Sequence, residues 1–386
     1  MEHLSNFGYA MLGKQTNPTT PVIPASGLPL YSESITTNLN PDEDTRIAGH
    51  KMARHSLIMG QRSHTGDITF LAEPNTAGLV ADMLLTKGST SGSNPYTHPF
   101  TLDGSKNPNY YTLDIAKGDM VFRYWGVVAR NLSIAFDANK GVFTAGVSAM
   151  GVFSSADISS VATNTLTLNS TCNAQPAKGL VVGDLVRITK AAGGTVDTTV
   201  SNITDTTVTV ASATGVTSGD VLTLRKQTYA DSLLFPVLWA KTEYRFGATP
   251  TDALSATHTP IEADSGTWNI LHSLNTEGGE MRSGSFGPAG FARTTGDVEI
   301  TTRHFFDDVE EERDFQQLKG QAMVIRHFVG SNYEIRLTID NVVVAEKSQP
   351  LDAGQIIYAE KVWRAQFNES TDQGFDLRVI NSLSSI

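Results

Sequence analysis

Asn131-Leu132-Ser133-Ile134-Ala135-Phe136-Asp137 decides the architecture, because Leu132, Ile134 and Phe136 alternate with Asn131, Ser133 and Asp137. A side-chain period of two is what a strand needs when one face meets a core and the other meets water. The same alternation returns near the carboxy terminus, where Ile335, Leu337 and Ile339 interleave with Glu334, Arg336 and Asp340. Phe143, Ala145 and Val147 against Thr144 and Gly146 extend it, as do Trp363, Ala365 and Phe367 against Arg364 and Gln366. Half-buried antiparallel strands of this kind predict β-sandwich layers rather than a doubly covered parallel sheet.

Upstream of the first strand set, a long loop from Asn40 to His64 leads into Thr65-Gly66-Asp67-Ile68-Thr69-Phe70 and then a helical pattern from Asn75 to Leu85. The order repeats later: a loop from Asn275 to Thr294, then Thr295-Gly296-Asp297-Val298-Glu299-Ile300, then a helical pattern from Asp307 to Leu318. Asn75 or Thr76 suits the first N-cap, with Leu79, Met83 and Leu84 on one face and Gly88 beyond the end. In the second helix Asp307, Asp308 and Glu310 load the first turn, where the helix dipole favours anions. Val309, Phe315 and Leu318 are placed to face inward there, and Lys319 and Gly320 mark the stop.

Between the repeats, residues 154–228 form a 75-residue segment without a single Phe, Tyr or Trp, although the chain has 31. Thr-Val alternation in Thr206-Thr207-Val208-Thr209-Val210 reads as strand, with Gly193-Gly194 and Ser218-Gly219-Asp220 as turns. The segment echoes itself. Asn164 to Leu168 followed by Gly183-Asp184-Leu185-Val186-Arg187-Ile188 is matched by Thr206 to Val210 followed by Gly219-Asp220-Val221-Leu222-Thr223-Leu224. Two like β-halves predict a small barrel or sandwich. The expected domains are 1–153, an inserted all-β module at 154–228, and 229–386; the nearly equal flanks of 153 and 158 residues suggest duplication.

Composition narrows the function classes. A formal charge of −11 disfavours a surface that clamps nucleic acid or anionic lipid, and the acidic excess lies outside the insertion, whose charges balance. The single Cys172 excludes an intramolecular disulfide and a Cys-based zinc framework. The amino end lacks a basic region followed by an apolar one, so a soluble chain made in the cytoplasm is expected.

Chemical motifs are weak. Gly8-Tyr9-Ala10-Met11-Leu12-Gly13-Lys14-Gln15 has the glycine and lysine spacing of a phosphate-binding loop, but Gln15 stands where that loop needs Ser or Thr, and Pro18, Pro21 and Pro24 prevent the helix that should follow. His50, His55 and His64 share a loop, yet match no helical or hairpin ligand spacing. Ser283-Gly284-Ser285-Phe286-Gly287 lacks the glycine spacing of a nucleophile elbow. The expectation is a non-enzyme with no cofactor, no metal site and no membrane insertion.

The ordered series of segments resembles the tail tube (major tail) proteins of long-tailed, siphovirus-type bacteriophages. Phe7-Gly8-Tyr9, Gly13-Lys14-Gln15-Thr16, Tyr31-Ser32-Glu33-Ser34-Ile35, Arg62 to Phe70, Pro95 to Phe100, Tyr124 to Ile134 and Gly141 to Ala145 carry the resemblance in the first flank. The second flank repeats loop, Thr-Gly-Asp, helix and strands. The family implies a mainly β fold of two related tail-tube sandwiches, each with one short α-helix, closing into a β-barrel tube on oligomerisation.

It also implies a structural virion protein: homotrimeric, pseudo-hexameric rings stacked around an acidic channel through which DNA passes as transient cargo during ejection. The location would be the virion tail, assembled in the bacterial host cytoplasm, and the partners the tape measure, tail terminator and baseplate or tail-tip proteins. Lumen-lining candidates are Asp137, Glu299, Glu334 and Asp340; inter-ring loop candidates are Arg46, Lys51, Arg54, Arg62, Arg282 and Arg293. The alternative is a surface or secreted carbohydrate-binding β-sandwich protein, favoured by the Thr-rich module.

Overall fold

The computed structural model describes residues 8–40, 42–44, 56–58, 62–102, 107–137, 139–170, 175–229, 236–255, 257–275, 288, 290–305, 309–330, 332–350, 357–369 and 374–386. The amino-terminal part holds β1 (Tyr9–Lys14), β2 (Ser26–Leu28), β3 (Leu30–Glu33), β4 (Thr36–Asn38), β5 (Asp42–Asp44), β6 (Ser56–Ile58), β7 (Ser63–Leu71), helix α1 (Pro74–Leu84), β8 (Thr86–Lys87), β9 (Ser91–Gly92), β10 (Tyr96–Thr101), β11 (Tyr111–Lys117), β12 (Met120–Asp137), β13 (Lys140–Ala149) and β14 (Gly151–Phe153). The Thr-rich segment holds β15 (Ser155–Ala162), β16 (Thr165–Leu168), β17 (Leu185–Thr189), β18 (Thr195–Ile203), β19 (Thr207–Val210) and β20 (Val221–Leu224). The remainder holds β21 (Thr242–Gly247), α2 (Pro250–Ala253), β22 (Ala263–Leu274), β23 (Arg293–Phe305), α3 (Val309–Gln316), β24 (Gln321–Val329), β25 (Tyr333–Ser348), β26 (Tyr358–Ala365) and β27 (Phe375–Asn381).

In the first half β1 pairs with β11, β11 with β12, β12 with both β14 and β13, β13 with β7, and β7 with β3 and β4. In the second half β21 pairs with β24, β24 with β25, β25 with both β27 and β26, β26 with β23, and β23 with β22. The two series are identical in order, and every pairing is antiparallel. Their irregularities also coincide. Beside β11, β12 skips Trp125 and Gly126; beside β24, β25 skips Asp340 and Asn341. Further along, β12 bulges at Arg130 and β25 at Ala345. Bulges pin register, so position matches position: Val121 with Arg336, Leu132 with Lys347, and Gly13 with Gly247. At both glycines a Cβ would come within 3.0 Å of backbone, at Pro24 in one half and Ala253 in the other.

Each half is a sandwich whose long strand bends from an outer layer into a second layer. The second layers join where Asn131 to Ile134 of β12 pair with Trp268 to Leu271 of β22. One continuous sheet results, in the order β3/β4, β7, β13, β12, β22, β23, β26, β25. Its inward side carries Phe70, Leu132, Ile134, Phe143, Trp268, Ile270, Ile300 and Trp363, all in a core shared by both halves. The bulges correct one reading of the sequence. Asp67 lies opposite Gly146 in β13, and the matching pair in the second half is Thr301 opposite Val362. The two Thr-Gly-Asp triplets therefore lie on matching strands but four residues out of register.

The Thr-rich segment closes on itself. β15 pairs with β16, β16 with β19, β19 with β18, β18 with β17, β17 with β20, and β20 with β15, a six-stranded barrel. The echo in the sequence is a pseudo-twofold axis. Val181 N–H donates to Asp184 Oδ2 (2.6 Å) as Thr217 N–H donates to Asp220 Oδ2 (2.8 Å). Gly183 and Gly219 before these carboxylates have φ of +98° and +90°, which glycine adopts without steric cost. The barrel interrupts the first half at β14: Leu224 of β20 pairs with Val121 where, in the second half, Arg378 of β27 pairs with Arg336.

The helices depart from the sequence reading. Glu73 occupies the N-cap of α1 without a side-chain cap, Pro74 opens the helix, and Thr76 donates its hydroxyl to the Glu73 carbonyl (3.1 Å). Leu79 is the one residue of α1 that is not buried. Segment β8–β10 crosses to the second half, where β10 pairs with β27, so α1 is enclosed on all sides rather than amphipathic. In α3 Phe315 packs on the core, but Leu318 lies past the helix at φ +48° and 64% exposed. Phe367 follows β26 and is 62% exposed. Asp307 and Asp308 lie outside the described residues.

Candidate functional site

The outward side of the continuous sheet is polar because alternation puts Asp67, Thr144, Asn131, Asn269, Glu299 and Arg364 opposite the core. Charges on it form short ladders. Arg364 lies between Glu299 (3.3 Å) and Glu346 (3.7 Å), Arg303 between Asp264 (3.6 Å) and Glu360 (3.7 Å), and Arg130 near Asp67 (3.8 Å). In these ladders five carboxylates meet three guanidinium groups, so the face is mildly acidic. Asn131 donates to Asn269 (3.5 Å) across the joint between halves, and Thr69 and Thr144 share a hydrogen bond (3.3 Å).

Of the four lumen candidates, Glu299 lies on this face. Glu334 does not: it is 6% exposed in the outer layer, gripped by Arg326 and Arg336 at 2.7 Å each. Burial works against its carboxylate, but Arg336 and Arg326 outweigh it and hold the pKa below the ordinary value. Asp340 sits at the bend of β25 and accepts a hydrogen bond from Asn368 (3.2 Å). Asp137 ends β12 opposite Lys140, and its side chain lies outside the described residues.

Among the loop candidates, Arg46, Lys51, Arg54 and Arg282 lie outside the described residues, and Arg62 is half-buried just before β7. Arg293 is a correction. It is 6% exposed and donates to the carbonyls of Ala129 (2.7 Å), His272 (3.1 Å) and Met83 (2.5 Å), tying β12, β22 and the end of α1 together. Burial lowers it to about 10, still charged at neutral pH. A guanidinium consumed by three carbonyls inside the chain is not a surface contact. Within the loop from Asn40 to His64, β5 and β6 pair as a ribbon separate from the main sheet.

A second constellation, absent from the sequence reading, fixes the barrel. Arg123 is fully buried and grips Asp114 through two bonds (2.7 and 2.8 Å) while reaching Asp184 of the barrel (2.6 Å) and the Gly179 carbonyl (3.3 Å). Burial pushes both carboxyls up and would push the guanidinium down, yet the paired carboxylates raise Arg123 above its ordinary value. Around this ion group Tyr9, Met11, Ala116, Val121, Trp125 and Phe153 merge with the barrel's own core. The barrel thus sits on the outer layer of the first half, on the side away from the continuous sheet.

Lys14 and two buried histidines have structural partners. Lys14 of the glycine-spaced segment is strand, not loop, and bonds to Asp82 of α1, as does Tyr111. His64 is buried, contacts Thr37 Oγ1 (2.9 Å), and is pushed down to about 4 by burial and then by Arg62. His327 accepts from Trp268 Nε1 (2.9 Å), and burial pushes it down to about 3. Among the described residues no group of three or more His, Cys, Asp or Glu is placed to hold a metal ion, and no helix is long and apolar enough to cross a membrane. A polar cleft of about 540 Å³ runs between Thr19 to Pro21 and the barrel, where Gln175, Lys178, Thr204 and Asp205 line it. Compared with known proteins, the chain matches no family model, and no curated protein matches its sequence.

Proposed function

We propose that the chain is the structural subunit of a phage-type tail tube, three copies forming a pseudo-sixfold ring and rings stacking around a channel that DNA crosses. The observation that carries this reading is the continuous sheet: two topologically identical halves side by side, a polar face on one side, and strand edges at both ends. Such edges invite pairing, and closure of a ring removes them. A mildly acidic face lined by Thr, Asn and paired charges offers phosphate no cationic patch to bind, which suits passing cargo. The barrel, on the opposite side of the sandwich, would project from the outside of the tube, in the virion tail assembled in the host cytoplasm. Tape measure, terminator and tail-tip proteins are the partners such a tube requires.

Negative-stain microscopy of concentrated protein tests this: rings or tubes with an axial hole and threefold symmetry are expected, and compact monomers at every concentration would sink it. The polar cleft at the barrel favours the alternative of carbohydrate binding, since its amides, hydroxyls and charges suit sugar hydroxyls. Its described lining has no aromatic ring for a sugar to stack on, and glycan binding without assembly would promote that reading over the tube.

A further inference from the structure

We infer that the seam between copies repeats the chain's internal seam in a defined register, with Glu346, Lys347, Ser348 and Gln349 of one copy opposite Asn38, Thr37, Thr36 and Ile35 of the next. This deepens the tube reading and rests on it. The internal seam pairs Asn131 with Leu271, Leu132 with Ile270, Ser133 with Asn269 and Ile134 with Trp268. The bulges at Arg130 and Ala345 carry Asn131 to Glu346 and Leu132 to Lys347. On the other side, β22 pairs with β23 as β4 pairs with β7, which carries Ile270 to Thr37 and Leu271 to Asn38. Among the described residues, neither edge has another strand against it.

Side-chain directions support the register independently. Residues opposite each other across an antiparallel pair share a face. Lys347 is turned under the sheet, its side chain 3% exposed and its ammonium 3.0 Å from Glu312 of α3, and Thr37 is turned the same way onto His64. Glu346, with a side chain 69% exposed, and exposed Asn38 are on the polar face. A shift by one residue would set inward against outward side chains.

The two seams differ in chemistry. Under the sheet the internal seam joins Leu132 and Ile134 to Ile270 and Trp268, whereas the seam between copies joins Lys347 and Gln349 to Thr37 and Ile35. It covers less apolar surface, so rings come apart into folded monomers at a denaturant concentration below that which unfolds the halves.

The test uses Cys172→Ser protein carrying Asn38→Cys with Glu346→Cys, or Thr36→Cys with Ser348→Cys, oxidised after ring formation. Either in-register pair should give a covalent ladder ending at the trimer. Asn38→Cys with Ser348→Cys, two residues off, should give little product because diagonal neighbours lie beyond disulfide reach. Rings that form in the reduced variants but link no better in register than off it overturn the inference and leave the tube standing. Absence of rings in the Cys172→Ser parent overturns both.

Discussion

The outer layers of the two halves share strand order, bulges and bend, yet their outward faces are opposites. Tyr9, Met11, Ala116 and Val121 of the first half correspond to Glu243, Arg245, Arg326 and Arg336 of the second. Tyr9 lies across from Ala116 just as Glu243 lies across from Arg326. The first set is buried under the barrel. The second is a chain of ion pairs, Arg245 to Glu243 (2.8 Å), Arg326 to Glu243 (3.6 Å), and Arg326 and Arg336 to Glu334, with the Arg326 guanidinium also 4.2 Å from the Phe328 ring centre. One scaffold therefore presents either an apolar docking face or an ion-paired face, and four matched positions on three strands carry the contrast.

The sharpest way to break that contrast is to remove the barrel. Deleting residues 154–228 with a Gly/Ser bridge strips the cover from Tyr9, Met11, Ala116, Val121 and Trp125 and leaves Arg123 and Asp114 open to water. The docked face predicts that the plain deletion aggregates, since an exposed contiguous apolar patch drives association. Adding Tyr9→Glu, Met11→Arg, Ala116→Arg and Val121→Arg should restore a soluble protein able to form the proposed rings. Sedimentation and microscopy of both variants check this; a soluble plain deletion would show that the barrel's cover is dispensable.

A smaller effect isolates the ion group under the barrel. Arg123→Met leaves Asp114 and Asp184 buried without their cation, and breaking a buried pair from one side costs about 3–5 kcal/mol. Arg336→Met, at the margin of a partly buried network, should cost about 1 kcal/mol, because Glu334 keeps Arg326. Urea unfolding of the two variants gives the ratio. Equal costs would mean that the two faces do not differ in the way their burial implies.

Why the sequence disclosed some of this and not the rest follows from the range of each interaction. Alternation at Leu132, Ile134 and Phe136 is local, and so is the echo of Asn164 to Leu168 in Thr206 to Val210; both map onto strands and onto the barrel's pseudo-twofold. The pairing register is not local. Thr65-Gly66-Asp67 and Thr295-Gly296-Asp297 look equivalent by eye, but hydrogen bonding with β13 and β26 sets them four residues apart. Arg293 and Glu334 read as surface charges because nothing nearby in sequence shows the carbonyls of Met83 and Ala129 or the second arginine that encloses them. Arg123 left no signal, since Asp184 lies 61 positions away. The aromatic-free composition of residues 154–228 was legible; the apolar patch on which that module sits was spread over four strands of another domain.

Acid separates the halves from the barrel by another route. His64 and His327 are held neutral by burial, with pKa values of about 4 and 3, while the barrel segment has no histidine. In the unfolded chain both bind a proton near the ordinary 6.5. Between those values the unfolded state binds more protons, so stability falls as pH falls, by up to about 1.4 kcal/mol per pH unit for each histidine. Buried His98 and His272 are lowered too and act in the same direction. Thermal unfolding from pH 7 to pH 4.5 should show the halves melting progressively earlier. A His327→Gln variant should lose part of the slope, and an unchanged slope would remove that histidine from the account.

The smallest effect belongs to the polar face. Arg364 is half exposed between Glu299 and Glu346, and removing it breaks both pairs at once. Exposed pairs are worth about 0–1 kcal/mol because water and salt screen them and two long side chains must be ordered to make them. Arg364→Ala should therefore change unfolding in urea by less than about 1 kcal/mol, and 0.5 M salt should erase the difference. Its charge effect is the informative part. Without Arg364 the face carries two unpaired carboxylates per copy, so the proposed ring of three copies loses three positive charges around its proposed channel, and binding of short single-stranded DNA to any tubes formed should stay at background. A stability loss of several kcal/mol would mean that the ladder is dehydrated, and the polar face would then be a buried interface rather than the wall of a water-filled channel.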